Sequence, residues 1–202
     1  MLVRFLVIVF AVVWSSAASA VTISFAGIPY FDPSSQTYDE AGFRVEALGD
    51  GDFGGFDGEH LHVDSVGGGG PYADTFRLTS LTSQFFTLFA MDILAYDYDV
   101  DSGISKMAFS GFRGGAVVST AVNYVGTVSQ SLFFGDNFAS IDALLIEADC
   151  VLPADYCGLP SDVHFNIDNI VVAPVPLPAA LPLLAAGLFG LGFIGRRKRK
   201  TT

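Results

Sequence analysis

Apolar and polar residues take turns along much of this chain. Phe43, Val45 and Ala47 alternate with Arg44 and Glu46; Leu61 and Val63 with His60, His62 and Asp64; Phe76 and Leu78 with Arg77 and Thr79. A period of two sends successive side chains to opposite faces of an extended backbone, so each segment predicts a half-buried strand. Runs rich in Val, Ile, Phe and Thr at 21–26, 85–94, 104–110, 116–124, 141–147 and 163–172 predict further strands. No stretch of about 12 residues between the two chain ends carries a helical stripe. Segments 49–58, 67–71 and 150–160 are built from Gly, Pro, Asp and Asn and read as turns. About nine or ten strands on roughly 150 residues predict an all-β fold, a two-sheet sandwich of jelly-roll type, because that arrangement covers each strand's apolar face.

The last predicted strand changes step. Val163, Phe165 and Ile167 share one parity, Ile170 and Val172 the other, and the slip falls at Asp168 and Asn169. An extra residue there, a β-bulge, is the simplest way to keep all of them on one face.

The ends differ in kind from the middle. Residues 1–20 hold one cation, Arg4, an apolar run from 5 to 14, and then Ala18-Ser19-Ala20, the small-x-small pattern of a secretory signal peptide. Cleavage is expected after Ala20; an uncleaved anchor is the alternative. At the other end Val175-Pro176-Leu177-Pro178 opens an uncharged stretch over 179–195, followed by Arg196, Arg197, Lys198, Arg199 and Lys200. As a helix that stretch rises about 26 Å, and residues 175–178 extend the apolar run toward the roughly 30 Å of a bilayer core. Consecutive cations resist translocation, so the basic cluster at 196–200 is expected to stay cytoplasmic with everything before it outside. The chain thus divides into a leader (1–20), a β-sandwich ectodomain (21–174) and a tail (175–202) with a transmembrane helix at 179–195.

The tail resembles the PEP-CTERM sorting signal in its VPLPAA variant, here residues 175–180, with Leu177 where the commoner form has Glu. The resemblance implies recognition by an exosortase-like membrane enzyme that cuts near the proline motif. It implies a protein anchored in the inner membrane before processing, then placed in the outer envelope or extracellular matrix of a Gram-negative bacterium. A plain membrane anchor is the alternative. The closing run Phe165-Asn166-Ile167-Asp168-Asn169-Ile170-Val171-Val172 is similar to the F-x-I-D-N-I-x-V strand of secreted jelly-roll domains, carbohydrate-binding modules among them. That likeness implies the fold, and a structural calcium with Asp168 among its ligands.

Charge narrows the partners. The chain has 21 acidic and 10 basic residues, a net charge of −11, and every acidic residue lies within 21–174, where the only cations are Arg44, Arg77, Lys106 and Arg113. Such a surface repels nucleic acid and suits solubility, cations, or neutral and basic polymers. The two cysteines, Cys150 and Cys157, read as a short loop closed by a disulfide in an oxidising compartment, contributing about 2–3 kcal/mol.

Candidate chemistry is sparse. Asp50, Asp52, Asp57 and Glu59 sit in a glycine-rich loop able to fold several oxygens around calcium; a solvated polar loop is the other reading. Asp97, Asp99 and Asp101 look like the start of an EF-hand loop, but glycine arrives one place late and Ala108 stands where a bidentate Glu belongs, so a strand is expected there. His60 and His62, with His164 elsewhere, form a His-x-His pair of the sort found in zinc and copper sites; two polar residues on a solvent-facing strand are the plainer reading. Phe53, Phe56 and Tyr72 fall in loops, where rings stack on sugar faces or plug the ends of a sandwich. Nucleophile-elbow, zincin and P-loop motifs are absent from the sequence, and no activated constellation takes their place. These features predict an exported, non-enzymatic envelope or matrix protein. A carbohydrate-binding module for exopolysaccharide is the alternative, and a secreted glycoside hydrolase a more distant one.

Overall fold

The alternating segments become strands. The computed structural model describes residues 19–29, 36–48, 58–64, 75–95, 105–125, 128–150 and 164–175. Eleven strands are found among them: β1 (Val21–Ile23), β2 (Thr37–Glu40), β3 (Phe43–Leu48), β4 (Leu61–Asp64), β5 (Thr75–Ser80), β6 (Phe86–Ala95), β7 (Ser105–Arg113), β8 (Ala116–Val125), β9 (Gln130–Phe133), β10 (Ala143–Cys150) and β11 (His164–Pro174). They form two antiparallel sheets. One has six strands in the order β2-β3-β5-β10-β7-β8, the other five in the order β1-β11-β6-β9 with β4 also on β11. Because β6 takes one edge of β11, β1 (facing residues 170–172) and β4 (facing 164–167) lie end to end along the other.

The inner faces carry the core. Phe43, Val45, Phe76, Leu78, Met107, Phe109, Leu144 and Ile146 come from the six-stranded sheet, and Ile23, Leu61, Val63, Phe86, Leu88, Met91, Ile93, Ile167, Ile170 and Val172 from the other. All are buried, each large side chain contributing about 1.5–3 kcal/mol. Rings meet edge to face across the gap, Phe43 on Phe86 at 5.3 Å between centroids and Phe109 on Phe134 at 5.0 Å. The all-β sandwich expected from the period-two pattern is therefore present.

Two strands, β2 and β9, extend the predicted set, and β1 stops at Ile23 rather than running to 26. The early stop has a local cause: Phe25 adopts a left-handed backbone (φ 54), and the Ile28 N–H closes a turn on the Phe25 carbonyl at 2.9 Å with Gly27 at φ 87. Glu40 holds this turn. Its Oε2 accepts from the backbone N–H of Ser24 (3.0 Å) and of Phe25 (2.8 Å), while Oε1 accepts from Ser24 Oγ at 2.9 Å. Tyr38 adds its hydroxyl to the Ala26 carbonyl at 3.0 Å and stacks on Phe25. The two sheets are thus clasped together along one rim. β2 itself turns into β3 through Ala41 and Gly42, both at positive φ (52 and 84), the requirement of a tight two-residue hairpin.

The predicted bulge in the closing strand is present and has a counterpart. Asp168 pairs with Asp92 and Val171 with Ala90, so Asn169 and Ile170 together oppose Met91, with Asn169 at φ 48. Val172 then pairs with Leu88, which leaves Phe89 as an extra residue on β6. The two insertions cancel. Ile167, Ile170 and Val172 therefore all face the core despite their mixed parity.

The leader up to residue 18, the tail from Pro176 onward, the turn segments and the acidic run at 97–101 lie outside the described residues, as does Cys157. No helix among the described residues is long and apolar enough to cross a membrane.

Candidate ligand-binding face

The buried positions of the five-stranded sheet fix what points the other way. With Leu61, Val63, Met91, Ile93 and Ile167 in the core, alternation turns His60, His62, Asn166, Asp168 and Asp92 to the outer face. β9 adds Ser131, opposite Asp92, and Phe133, opposite Ala90.

A polar row crosses this face strand by strand. Ser131 Oγ donates to Asp92 Oδ1 at 2.6 Å. The Asn169 side-chain amide donates to Asp92 Oδ2 and to Asp168 Oδ2, both at 3.0 Å, and its backbone N–H donates to Asp168 Oδ1 at 2.7 Å. His60 Nε2 lies 3.8 Å from Asp168 Oδ2 at the far end. The bulge makes this row: a left-handed asparagine on β11 is what lets one amide bridge carboxylates from two strands. Burial pushes the Asp168 carboxyl above its ordinary range; the Asn169 N–H and His60 oppose that shift, and the nearby charges of Asp92 and Glu40 reinforce it.

His62 corrects an expectation. Its alternation predicts a solvent-facing side chain, yet it is only 1% exposed, with its Nδ1 donating to Asn166 Oδ1 at 2.7 Å. The period of two assigned the face rightly, but a face pointing away from the core is not always wet. His164 stands in register with Asp64 at the other end of the same pairing.

Beside the polar row the face becomes apolar. Phe133 is 83% exposed and Phe89, the inserted residue on β6, is 44% exposed. A ring so open forgoes about 2 kcal/mol that burial would contribute, so it stands ready to cover something else. Exposed rings next to fixed carboxylate and hydroxyl acceptors suit a ligand with apolar C–H faces and hydroxyl edges.

Of the residues singled out in the sequence, Asp168 belongs to this row and Glu59 is exposed just before β4. Asp50, Asp52, Asp57, Phe53, Phe56 and Tyr72 lie outside the described residues. No group of three or more His, Cys, Asp or Glu able to hold a metal occurs among the described residues. Cys150 ends β10 opposite Ser105. Asp92, Ser131, Asn169, Phe89 and Phe133 were not anticipated as site residues. Asn169 alone carried a signal, through the parity slip.

No family model matches the chain, and no curated protein matches it. Solved structures do. A DUF4465 family protein from Bacteroides caccae is similar at 15% identity and TM-score 0.41, over 79% of this chain and 88% of that one. A family 29 carbohydrate-binding module from Piromyces equi is similar at 13% identity and TM-score 0.43, over 78% and 92%. A family 11 carbohydrate-binding module from Clostridium thermocellum, solved with a β-1,3-1,4-mixed-linked tetrasaccharide, is similar at 11% identity and TM-score 0.34, over 80% and 99%.

Proposed function

We propose that this is an exported, non-catalytic envelope or extracellular-matrix protein whose jelly-roll-type sandwich holds a neutral polysaccharide against the outer face of the five-stranded sheet. The tail at 175–202 acts as a PEP-CTERM-type sorting signal read by an exosortase-like enzyme, and the leader at 1–20 directs export. The observation that carries the binding reading is Phe133, 83% exposed one step along the strand face from the Ser131–Asp92 pair. The ring supplies a platform for the C–H face of a sugar, and the Asp92 and Asp168 carboxylates accept from its hydroxyls. Both groups are pre-positioned, because Asn169 and Ser131 hold the carboxylates in place before any ligand arrives. A net charge of −11 with two carboxylates on the face disfavours uronate- or sulfate-bearing polymers.

Affinity electrophoresis of the protein in gels containing neutral and anionic polysaccharides tests the reading. Retardation is expected with at least one neutral polymer and with none of the anionic ones. Phe133→Ala is expected to weaken it at least about tenfold without changing the melting temperature, in line with the loss of a central aromatic anchor. Equal retardation of parent and variant, or none across the neutral panel, would overturn it.

A further inference from the structure

The chain leaves the sandwich for its tail at one point. The Val175 N–H donates to the Phe85 carbonyl at 2.7 Å, just past the Pro174–Phe86 pair that ends β11. Phe85 is 44% exposed, and Leu81, on the turn after β5, is 48% exposed. Both belong to a rim where several turns are tied together. Phe86 exchanges backbone bonds with Ile141 at 2.8 and 2.9 Å, the Asp142 N–H donates to the Phe112 carbonyl at 2.8 Å, and the Leu81 N–H donates to the Gly42 carbonyl at 3.0 Å. β1 starts at the same rim, since Val21 pairs with Val172.

The charges of this rim are sorted by sign. Arg113, at the end of β7, donates from Nε to the Ser140 carbonyl at 2.6 Å and from Nη2 to the Ala139 carbonyl at 3.0 Å. Its guanidinium lies over the Phe85 ring, 5.9 Å from the centroid. The flanking carboxylates are engaged with backbone: Asp142 accepts from the Gly114 N–H, and Glu40 from those of Ser24 and Phe25. In a domain with 21 acidic residues and only four cations, the exit rim is apolar and marked by an arginine.

We propose that this rim rests on the lipid bilayer while the protein is anchored, with Leu81, Phe85 and Arg113 at the headgroup level, a contact that rests on residues 179–195 spanning the membrane. Tether length selects the occupant. Four residues, 175–178, separate the backbone bonded to Phe85 from that span, and fully extended they reach about 14 Å. A headgroup layer is about 5–8 Å deep, so the rim stands clear of the surface by no more than about 6–9 Å. Aromatic rings settle at that interface, and a guanidinium pairs there with lipid phosphate. The acidic excess of the rest of the domain favours the same orientation, because anionic lipid repels it.

Tryptophan fluorescence of the full chain in phosphatidylcholine–phosphatidylglycerol vesicles carrying chain-brominated phosphatidylcholine tests the contact. Trp14 is the only tryptophan, so Trp14→Phe gives a dark background. Three probes enter it one at a time: Phe85→Trp at the rim, Phe189→Trp in the tail, and Val128→Trp, 74% exposed and beyond the Gln130–Ile93 pair toward the other end of β6. The ends of β6 lie about 30 Å apart, so brominated lipid is expected to quench Phe85→Trp at least about threefold more than Val128→Trp. Iodide in the buffer should reverse that order. Leu81→Trp should repeat the result without disturbing the stack of Arg113 on Phe85. If Phe189→Trp is quenched while the residue 81 and 85 probes respond like Val128→Trp, the contact is wrong and the anchor stands. If Phe189→Trp is not quenched, the tail does not span and the contact falls with it.

Discussion

Glu40→Ala is expected to be the most damaging single substitution on the rim of the sandwich. The carboxylate accepts three hydrogen bonds, two of them from the backbone N–H groups of Ser24 and Phe25, and Phe25 sits in a left-handed conformation that a non-glycine residue adopts at a cost of about 1–2 kcal/mol. Hydrogen bonds to a charged group contribute about 1.5–3 kcal/mol each, but the site is only partly buried and water replaces some of them, so the loss should fall near 2–4 kcal/mol. For a domain of this size that lowers the melting temperature by roughly 5–15 °C. Glu40→Gln keeps one carbonyl oxygen for the two N–H donors and should cost about 1 kcal/mol. Glu46→Ala, which removes an exposed partner 3.7 Å from Arg77, should stay within about 0.5 kcal/mol of the parent. Calorimetry or far-UV circular dichroism provides the readout, since the single tryptophan, Trp14, lies in the expected leader. A Glu40→Ala variant melting within about 1 °C of the parent, or a Gln variant as weak as the Ala one, would refute the clasp.

Two further outcomes are expected. Because burial holds the Asp168 carboxyl above its ordinary range, its ionised form is a cost to the folded state. That cost is absent below the pH where an exposed carboxylate titrates and complete once the pH has passed the raised value. Asp168→Asn should therefore gain on the parent as pH rises through that window, then keep a constant difference; urea titrations showing the difference shrink with rising pH would contradict the assignment. For the tail, intact mass of the protein recovered from the envelope should show a new N-terminus at Val21 and loss of residues beyond the proline motif. Replacing Pro176 and Pro178 with Ala should leave the chain full-length at its C-terminus in the inner membrane, and unaltered release of a shortened form would remove the sorting reading.

What the sequence made legible depended on how local the physics was. Strands β3, β4 and β5 were readable because apolar and polar residues alternate along each, β6 and β11 because each is a long run rich in β-branched and aromatic residues, and the bulge at Asn169 was readable because a one-residue insertion must reverse parity. β2 and β9 show no period of two, Thr-Tyr-Asp-Glu having one apolar residue and Gln-Ser-Leu-Phe two side by side, and the hairpin after β2 turns through Ala41, not an asparagine or aspartate that would have signalled it. The binding face failed for a different reason. Asp92, Ser131 and Asn169 are far apart in the chain and meet only through strand pairing, and Phe133 gains its meaning from exposure, which no residue type declares.

The placement of β11 governs how the domain bears a load. Tension on a tether leaving at Pro174 runs along a strand whose hydrogen bonds, to β6 on one side and to β1 and β4 on the other, lie across the direction of pull. Those bonds are strained together in shear and cannot be unzipped one by one from an end. A protein held to a cell through that point would grip it by its most firmly seated strand, and drag from the surroundings would reach the rest of the sandwich last.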